Sequence, residues 1–149
     1  TLVKSSAASD VYKRQEEGYA ITNNLPILAR IKSTAINGCP PELMGLGPIG
    51  ASLKALKRAD LDINDIDIIE LNEAFASQSL ACIQELKINP DKVNLEGGAI
   101  AIGHPLGATG ARITAKAAYL MNKYNKQYAL ATQCIGLGQG IATVLEKVE

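Results

Sequence analysis

The chain has 149 residues, 15 basic and 15 acidic side chains, one histidine, three cysteines and no tryptophan. Its length suits one domain with a core of its own. Its formal charge of zero argues against nucleic acid, whose phosphates call for surplus Lys and Arg. Cys39, Cys82 and Cys134 lie far apart with no Cys-x-x-Cys pair, which disfavours zinc and reads as free thiols in a reducing compartment. No apolar run approaches a membrane span, and no basic-plus-apolar secretion signal opens the chain. The expectation is a soluble, intracellular, mixed α/β domain.

Residues Thr1 to Gln15 have no sustained apolar period and many small polar side chains, so this stretch is expected to be non-native or assembly-derived. A frayed native arm is the other reading. From Leu25 the residues Ile27, Ala29, Ile31, Ser33 and Ala35 alternate with a partly charged face holding Arg30 and Lys32, the pattern of a half-exposed strand. Asn37-Gly38-Cys39-Pro40-Pro41 breaks it. Leu46, Ile49, Leu53 and Leu56 recur at helical spacing, giving a helix that ends near Arg58, its start obscured by Gly50. Ile66, Ile68 and Ile69 form a short strand ending at Glu70-Leu71, and Leu80, Ile83 and Leu86 mark a helix from about Glu73 to Lys87. A longer helix spans about Ala108 to Asn125, with Ile113, Ala117, Leu120 and Tyr124 on one face. Gln127–Cys134 and Gly140–Val148 read as two strands joined by a glycine-rich turn. Strands alternating with helices imply crossovers and a largely parallel sheet. The last two strands are joined too tightly for a crossover and should be antiparallel neighbours.

Three segments carry polar side chains where such an architecture puts its sites, on loops beyond strand ends. They are Asn72-Glu73-Ala74-Phe75, Gly97-Gly98-Ala99-Ile100-Ala101-Ile102-Gly103-His104-Pro105, and Cys134-Ile135-Gly136-Leu137-Gly138-Gln139-Gly140. Small neighbours let a ligand approach the backbone and leave N–H groups free to donate. Each segment also has a plain structural explanation. His104 can be a hydrogen-bonded structural residue, Cys134 a small buried hydrophobe, and Asn72 a helix cap. Cys82, within a helix, reads as core, and Cys39 gives no decisive signal. The glycines at 136, 138 and 140 resemble part of a dinucleotide fingerprint, yet only nine residues follow Gly140, too few for the helix and acidic strand end that fingerprint needs. Neither a phosphate-binding Gly-x-x-x-x-Gly-Lys loop nor a Gly-x-Ser-x-Gly elbow occurs.

Taken together, Asn-Glu-Ala-Phe at 72–75, Gly-Gly-Ala-Ile-Ala-Ile-Gly-His-Pro at 97–105 and Cys-Ile-Gly-Leu-Gly at 134–138 resemble the three carboxy-terminal active-site blocks of the thiolases. Met44-Gly45-Leu46-Gly47-Pro48 is similar to the family's upstream Met-Gly-x-Gly-Pro stretch. The resemblance runs from about Leu25 to the end, with Glu16 to Asn24 compatible. It implies a thiolase carboxy-terminal domain over residues 16–149: three α/β/α layers around a mixed, mostly parallel five-stranded sheet with an antiparallel final strand. It also implies acyl transfer between coenzyme A thioesters, either condensing two acetyl-CoA or cleaving a 3-oxoacyl-CoA. Coenzyme A thioesters would be substrates, with no permanently bound cofactor and no metal. A base must remove an α-proton from a thioester, and a thiol with an ordinary pKa near ~8.5 can be tuned to that task. By similarity Cys134 is that acid/base. His104 activates a nucleophilic cysteine and donates to a developing oxyanion. Asn72 holds a water completing that oxyanion site, and the Gly136 N–H faces a second oxyanion. Phe75 and Met44 line the thioester and acyl pocket.

The family's nucleophilic cysteine belongs to an amino-terminal half outside this stretch. The 149-residue chain alone is therefore expected to be inactive, and the full-length enzyme to be a homodimer or homotetramer. A cysteine hydrolase using Cys134, His104 and Asn72 competes with this reading. However, its nucleophile belongs at a helix amino terminus, whereas Cys134 is followed by a glycine turn and a strand. A non-catalytic domain kept for binding or dimerisation has no need of all three residues. Ketoacyl synthases would carry two histidines. No partner in nucleic acid or membrane is expected. A cytoplasmic location is expected, and any mitochondrial address would lie upstream.

Overall fold

The computed structural model describes residues 15–148. The segment expected to be non-native, Thr1–Gln15, thus lies outside the described residues except for Gln15. A short helix, α1 (Glu17–Thr22), comes first, its opening N–H groups at Gly18 and Tyr19 capped by the Glu16 carboxylate. No apolar period marks that stretch. Strand β1 (Arg30–Gly38) is followed by a 3-10 turn over Pro41–Leu46 and helix α2 (Gly47–Ala59). Then come β2 (Ile68–Leu71), α3 (Ala76–Glu85), the single-turn helix α4 (Ala99–Ile102) and α5 (Thr109–Lys123). The hairpin of β3 (Tyr128–Ile135) and β4 (Gln139–Glu146) completes the fold.

The strands lie in the order β1-β4-β3-β2. β2 and β3 are parallel, and β4 is antiparallel to both of its neighbours. Strands β1, β2 and β3 therefore share one direction, and the last strand runs against them, as expected. It does so from inside the sheet, so antiparallel pairings outnumber the parallel one. The sheet has four strands among the described residues rather than five. Beyond β2 only Val93 pairs, as an isolated parallel bridge to Ile69. The chain then leaves the edge, because the next residue, Asn94, adopts a left-handed φ of +48°.

Helix α2 covers one face and α5 the other, giving three layers. The inner side of α2 is built from Gly47, Pro48, Ala51, Ser52, Ala55, Leu56 and Ala59, small residues that let the helix lie close to the sheet. Ser33 Oγ donates to Ala55 O at 2.7 Å, and Ser52 Oγ to Thr132 Oγ1 at 3.2 Å, so the polar atoms on this face are paired. Leu56, Ile69, Leu71, Leu130, Ala142 and Val144 form the core there. On the other face Ile113, Ala117, Leu120 and Met121 of α5 pack on Ile68, Ala129, Ala131 and Leu145. Tyr124, expected on that helical face, is the C-cap and is exposed. Because α5 stands mainly over β2 and β3, a groove of about 950 Å³ remains beside it, floored by Ile141, Thr143 and Leu145 of β4. Among the described residues no helix is long and apolar enough to cross a membrane.

Two expectations shift in detail. β1 starts at Arg30 rather than Leu25, and a bulge between Ile31 and Ser33 breaks its alternation, leaving Ile31 exposed. α3 is shorter than 73–87 and presents a different face: Gln78, Ser79 and Cys82 are buried while Leu80 is 66% exposed. That rotation follows from what α3 packs against. The Cys82 thiol donates to Gly45 O at 3.5 Å, and a Cβ on Gly45 would come within 3.0 Å of the Gln78 side chain. Only small or flexible side chains fit against that turn.

The tightest contact is between α2 and β4. A Cβ on Gly47 would lie 2.4 Å from Gln139 O, and one on Gly140 would lie 2.1 Å from the Gly47 carbonyl carbon. Gly47→Ala and Gly140→Ala are therefore each expected to destabilise the fold by about 1–3 kcal/mol, the usual scale of overpacking. Gly136→Ala, where a Cβ meets nothing within 4 Å, should stay within about 0.5 kcal/mol. Urea denaturation of the three variants checks the difference.

Candidate active site

The parallel pair β2–β3 ends where the site begins, at the carboxyl ends of strands where open α/β sheets place ligands. Asn72 follows β2 directly, and its N–H donates to Thr132 O at 2.9 Å, extending the ladder by one bond. Its side chain is 1% exposed, and its Oδ1 accepts from no protein donor among the described residues. Cys134 lies two residues beyond Thr132, opposite Gly140 on β4, and is 8% exposed. Strand alternation puts it on the same face as Leu130 and Thr132, the face covered by α2.

His104 arrives from the opposite side. After α4, Gly103 takes φ +88°, a turn that only glycine makes without strain, and His104 then meets the start of α5. Its Nδ1 lies 2.7 Å from Thr109 Oγ1, and that hydroxyl donates to Pro105 O at 3.0 Å. Thr109 has one proton to give and gives it to the carbonyl, so it accepts from His104 Nδ1–H. Nε2 is then the nitrogen turned toward Asn72. Nε2 lies 3.3 Å from Asn72 Nδ2, which donates to it. The ring's orientation and tautomer are thus set by a second partner.

Cys134 sits in a different environment. Burial pushes its thiol above the ordinary cysteine range, opposed by a backbone hydrogen bond, with nearby Cys39 adding to the rise. Cys82, fully buried in the core as expected, is raised for the same principal reason. Among the described residues no hydrogen bond joins Cys134 to His104, and Cys134 lies near a strand end rather than at a helix amino terminus. A hydrolytic dyad needs a base within hydrogen-bond reach of a thiolate-prone cysteine. This cysteine is neither bonded to the imidazole nor pushed toward thiolate.

Gly136 is exposed in the β3–β4 turn, with open space on its Cβ side. Leu137 and Gly138 take φ +67° and +78°, and Cys39 N–H donates to Gly138 O at 2.8 Å, anchoring the turn. Phe75 stands 61% exposed at the start of α3, and Met44 is half-buried in the turn that α3 packs against. The structure thus joins Asn72 directly to His104. It places Cys134 and Gly136 on the adjoining strand end, and Phe75 and Met44 on neighbouring segments.

Sequence reasoning missed several residues that hold these groups. Thr109, fully buried, carries the His104 ring. Glu73, within the Asn72 segment, accepts the Ile100 N–H at 2.9 Å. Glu70, two residues before Asn72, is 1% exposed, with Lys116 Nζ at 3.3 Å. Burial still pushes its carboxyl above the ordinary carboxylate range, because desolvation outweighs the lysine. The available signals were a threonine opening a helix just after the histidine and an acidic residue inside an isoleucine-rich strand.

A sequence profile described as Thiolase, C-terminal domain, matches residues 25–147. The chain belongs to the thiolase family. The 3-ketoacyl-CoA thiolase of Shewanella sp. (strain ANA-3) is 53% identical over 154 residues, covering 99% of this chain and 40% of that protein. That of Vibrio parahaemolyticus is 59% identical over 126 residues, covering 83% of this chain and 32% of that protein. Human mitochondrial 3-ketoacyl-CoA thiolase, solved as a crystal structure, is 44% identical with a TM-score of 0.87, covering 89% of this chain and 34% of that one. The chain therefore spans well under half the length of these thiolases.

The buried thiols make the thiolase domain pH-sensitive. The folded chain holds the Cys82 and Cys134 protons more tightly than the unfolded chain does. Stability from this source is complete below the ordinary thiol pKa and is lost as pH climbs above it. The urea midpoint is expected to fall between about pH 8 and about pH 10, and less steeply in Cys134→Ser. A midpoint that rises over this interval, or an identical slope in the variant, would contradict the assignment.

Proposed function

We propose that this domain supplies the acid/base half of an acyl-transfer site working on coenzyme A thioesters, in the direction of 3-oxoacyl-CoA thiolysis. The observation that carries the proposal is the grouping at one sheet end: His104, its Nδ1 at Thr109 and its Nε2 3.3 Å from Asn72 Nδ2, beside Cys134, whose thiol burial pushes above the ordinary cysteine range. Cleavage begins when a nucleophilic cysteine, contributed by the amino-terminal part of a full-length thiolase, attacks the 3-oxo carbon. Its proton passes to His104 Nε2, its sulfur bonds to that carbon, and the carbonyl π pair moves to oxygen as an oxyanion, whose return restores the C=O as a thioester. The carbon–carbon bond then breaks and its electron pair becomes an enolate, which takes the Cys134 proton to leave as acetyl-CoA. The coenzyme A thiol then gives its proton to the Cys134 thiolate and attacks the acyl-enzyme thioester, and the enzyme cysteine leaves with the proton held on His104. Condensation of two acetyl-CoA is the same path reversed, with Cys134 as base.

The identity to proteins named 3-ketoacyl-CoA thiolase and the likeness to the human mitochondrial enzyme, also solved in complex with CoA, support the substrate class. The open space at Gly136 and the Asn72 Oδ1, which can accept from a water, suit oxyanion and water binding, an N–H or O–H aimed at the oxyanion being worth on the order of 10²–10³ in rate. A cytoplasmic homodimer or homotetramer is proposed for the full-length enzyme, with a role in fatty acid metabolism.

The 149-residue chain alone is expected to show no thiolysis of acetoacetyl-CoA. In a full-length enzyme carrying these residues, Cys134→Ala or His104→Ala should cut turnover by about 10²–10⁴-fold, the scale of a lost general acid or base. Thiolysis by the isolated chain refutes the requirement for a second half, and near-normal turnover of either variant removes that residue from the mechanism.

A further inference from the structure

Asn94 lies between α3 and α4, on the free edge of β2, and its bonds run almost entirely to the segment bearing Asn72. Its N–H donates to Ile69 O at 2.8 Å. Its side-chain Oδ1 accepts the Leu71 N–H at 3.0 Å, and its Nδ2 donates to Leu71 O at 2.9 Å and to Glu73 Oε1 at 3.0 Å. The amide thus stands in for the peptide group of a missing neighbouring strand, satisfying both backbone groups of Leu71 on the otherwise open edge. Residues 71 and 73, on either side of Asn72, are held by one side chain.

The tie continues to the histidine. The other oxygen of Glu73 accepts the Ile100 N–H at 2.9 Å, fixing α4, from which Gly103 turns into His104. Gly98 closes the arrangement: a Cβ there would lie 2.4 Å from Glu73 Oε2 and 2.7 Å from Asn94 Nδ2. The chemistry selects asparagine at 94. Aspartate has no donor for Leu71 O and would oppose the Glu73 carboxylate, while glutamine is one carbon too long for this spacing. Asparagine also tolerates the left-handed backbone better than most side chains do.

We infer that Asn94 and Glu73 are positioning residues for the Asn72–His104 pair. Asn94 locks the segment that carries Asn72, and Glu73 ties that segment to the helix that delivers His104. The inference rests on the reading of this pair as the acyl-transfer site, but its geometry can be tested without turnover.

His104 is the only histidine in the chain, so imidazole ¹⁵N NMR of the 149-residue protein reports on it alone. The parent should show Nδ1 protonated and hydrogen-bonded. Asn94→Gly keeps the left-handed backbone permissible and deletes the amide. It should move the signal of His104 Nε2, the nitrogen that faces Asn72, and shift the Asn72 side-chain amide signals. Glu73→Gln should move both in the same direction by less. Glu96→Gln, on the same loop but paired with Lys123, should move neither. An unchanged His104 spectrum in folded Asn94→Gly overturns the proposal, as does an equal shift in Glu96→Gln. Should Asn94→Gly not fold, Glu73→Gln decides, an unchanged spectrum there overturning it. In the full-length enzyme Asn94→Gly should lower kcat by about 10²-fold and change KM by less than about twofold, as misplacement of a catalytic group does. An inactive parent enzyme would count against the proposed function, with the NMR result still judging the positioning.

Discussion

With no side chain at Gly47 or Gly140, the first turn of α2 and the start of β4 meet backbone to backbone, and a single methyl on either would collide with main-chain atoms. Main chain cannot yield as the end of a flexible side chain can, so this contact sets the separation of helix and sheet. It also sets the separation of everything attached to them. On one side hangs the Pro41–Leu46 turn with Met44, against which α3 lays Cys82 and Gln78. On the other hangs the hairpin turn carrying Cys134 and Gly136, with Gly138 pressed against the Cys39 carbonyl. The glycines of Met-Gly-Leu-Gly-Pro and of the last active-site segment are two halves of one packing requirement.

That geometry lets one sheet end gather groups from both of its faces. Cys134 is buried on the α2 side and keeps its proton because desolvation disfavours the thiolate. His104 reaches the same end from the α5 side, with Thr109 accepting from Nδ1 and Nε2 turned to Asn72. A proton donor and a proton acceptor thus coexist without a hydrogen bond between them. A shared bond would let the proton equilibrate before substrate arrived. The separation suits a reaction in which one proton must be taken and another given at different atoms.

Much of the fold was legible in the residues. Helices α2 and α5 and the β3–β4 hairpin follow from periodicity and from glycine placement, and the three active-site segments stood out by composition. Leu80 and Tyr124 were misplaced because helical spacing identifies a stripe without saying what packs on it. In α3 the neighbour is a turn that admits only small or flexible residues, so the buried face carries Gln78, Ser79 and Cys82. Ile31 was misplaced because a bulge changes the phase of alternation, and no local pattern marks it.

By itself, the sequence determined most of the element types and singled out the three polar loop segments, since these depend on neighbours a few positions away. Tertiary structure alone decided that β4 inserts between β1 and β3 and that β2 becomes an edge. That edge is closed by Asn94, 23 residues beyond the Leu71 it binds. Hydrogen-bonding groups specify what they need, but not which distant segment will provide it. Only the closed fold brings an asparagine amide to a strand edge and a threonine hydroxyl to an imidazole, and so sets Asn72 beside His104.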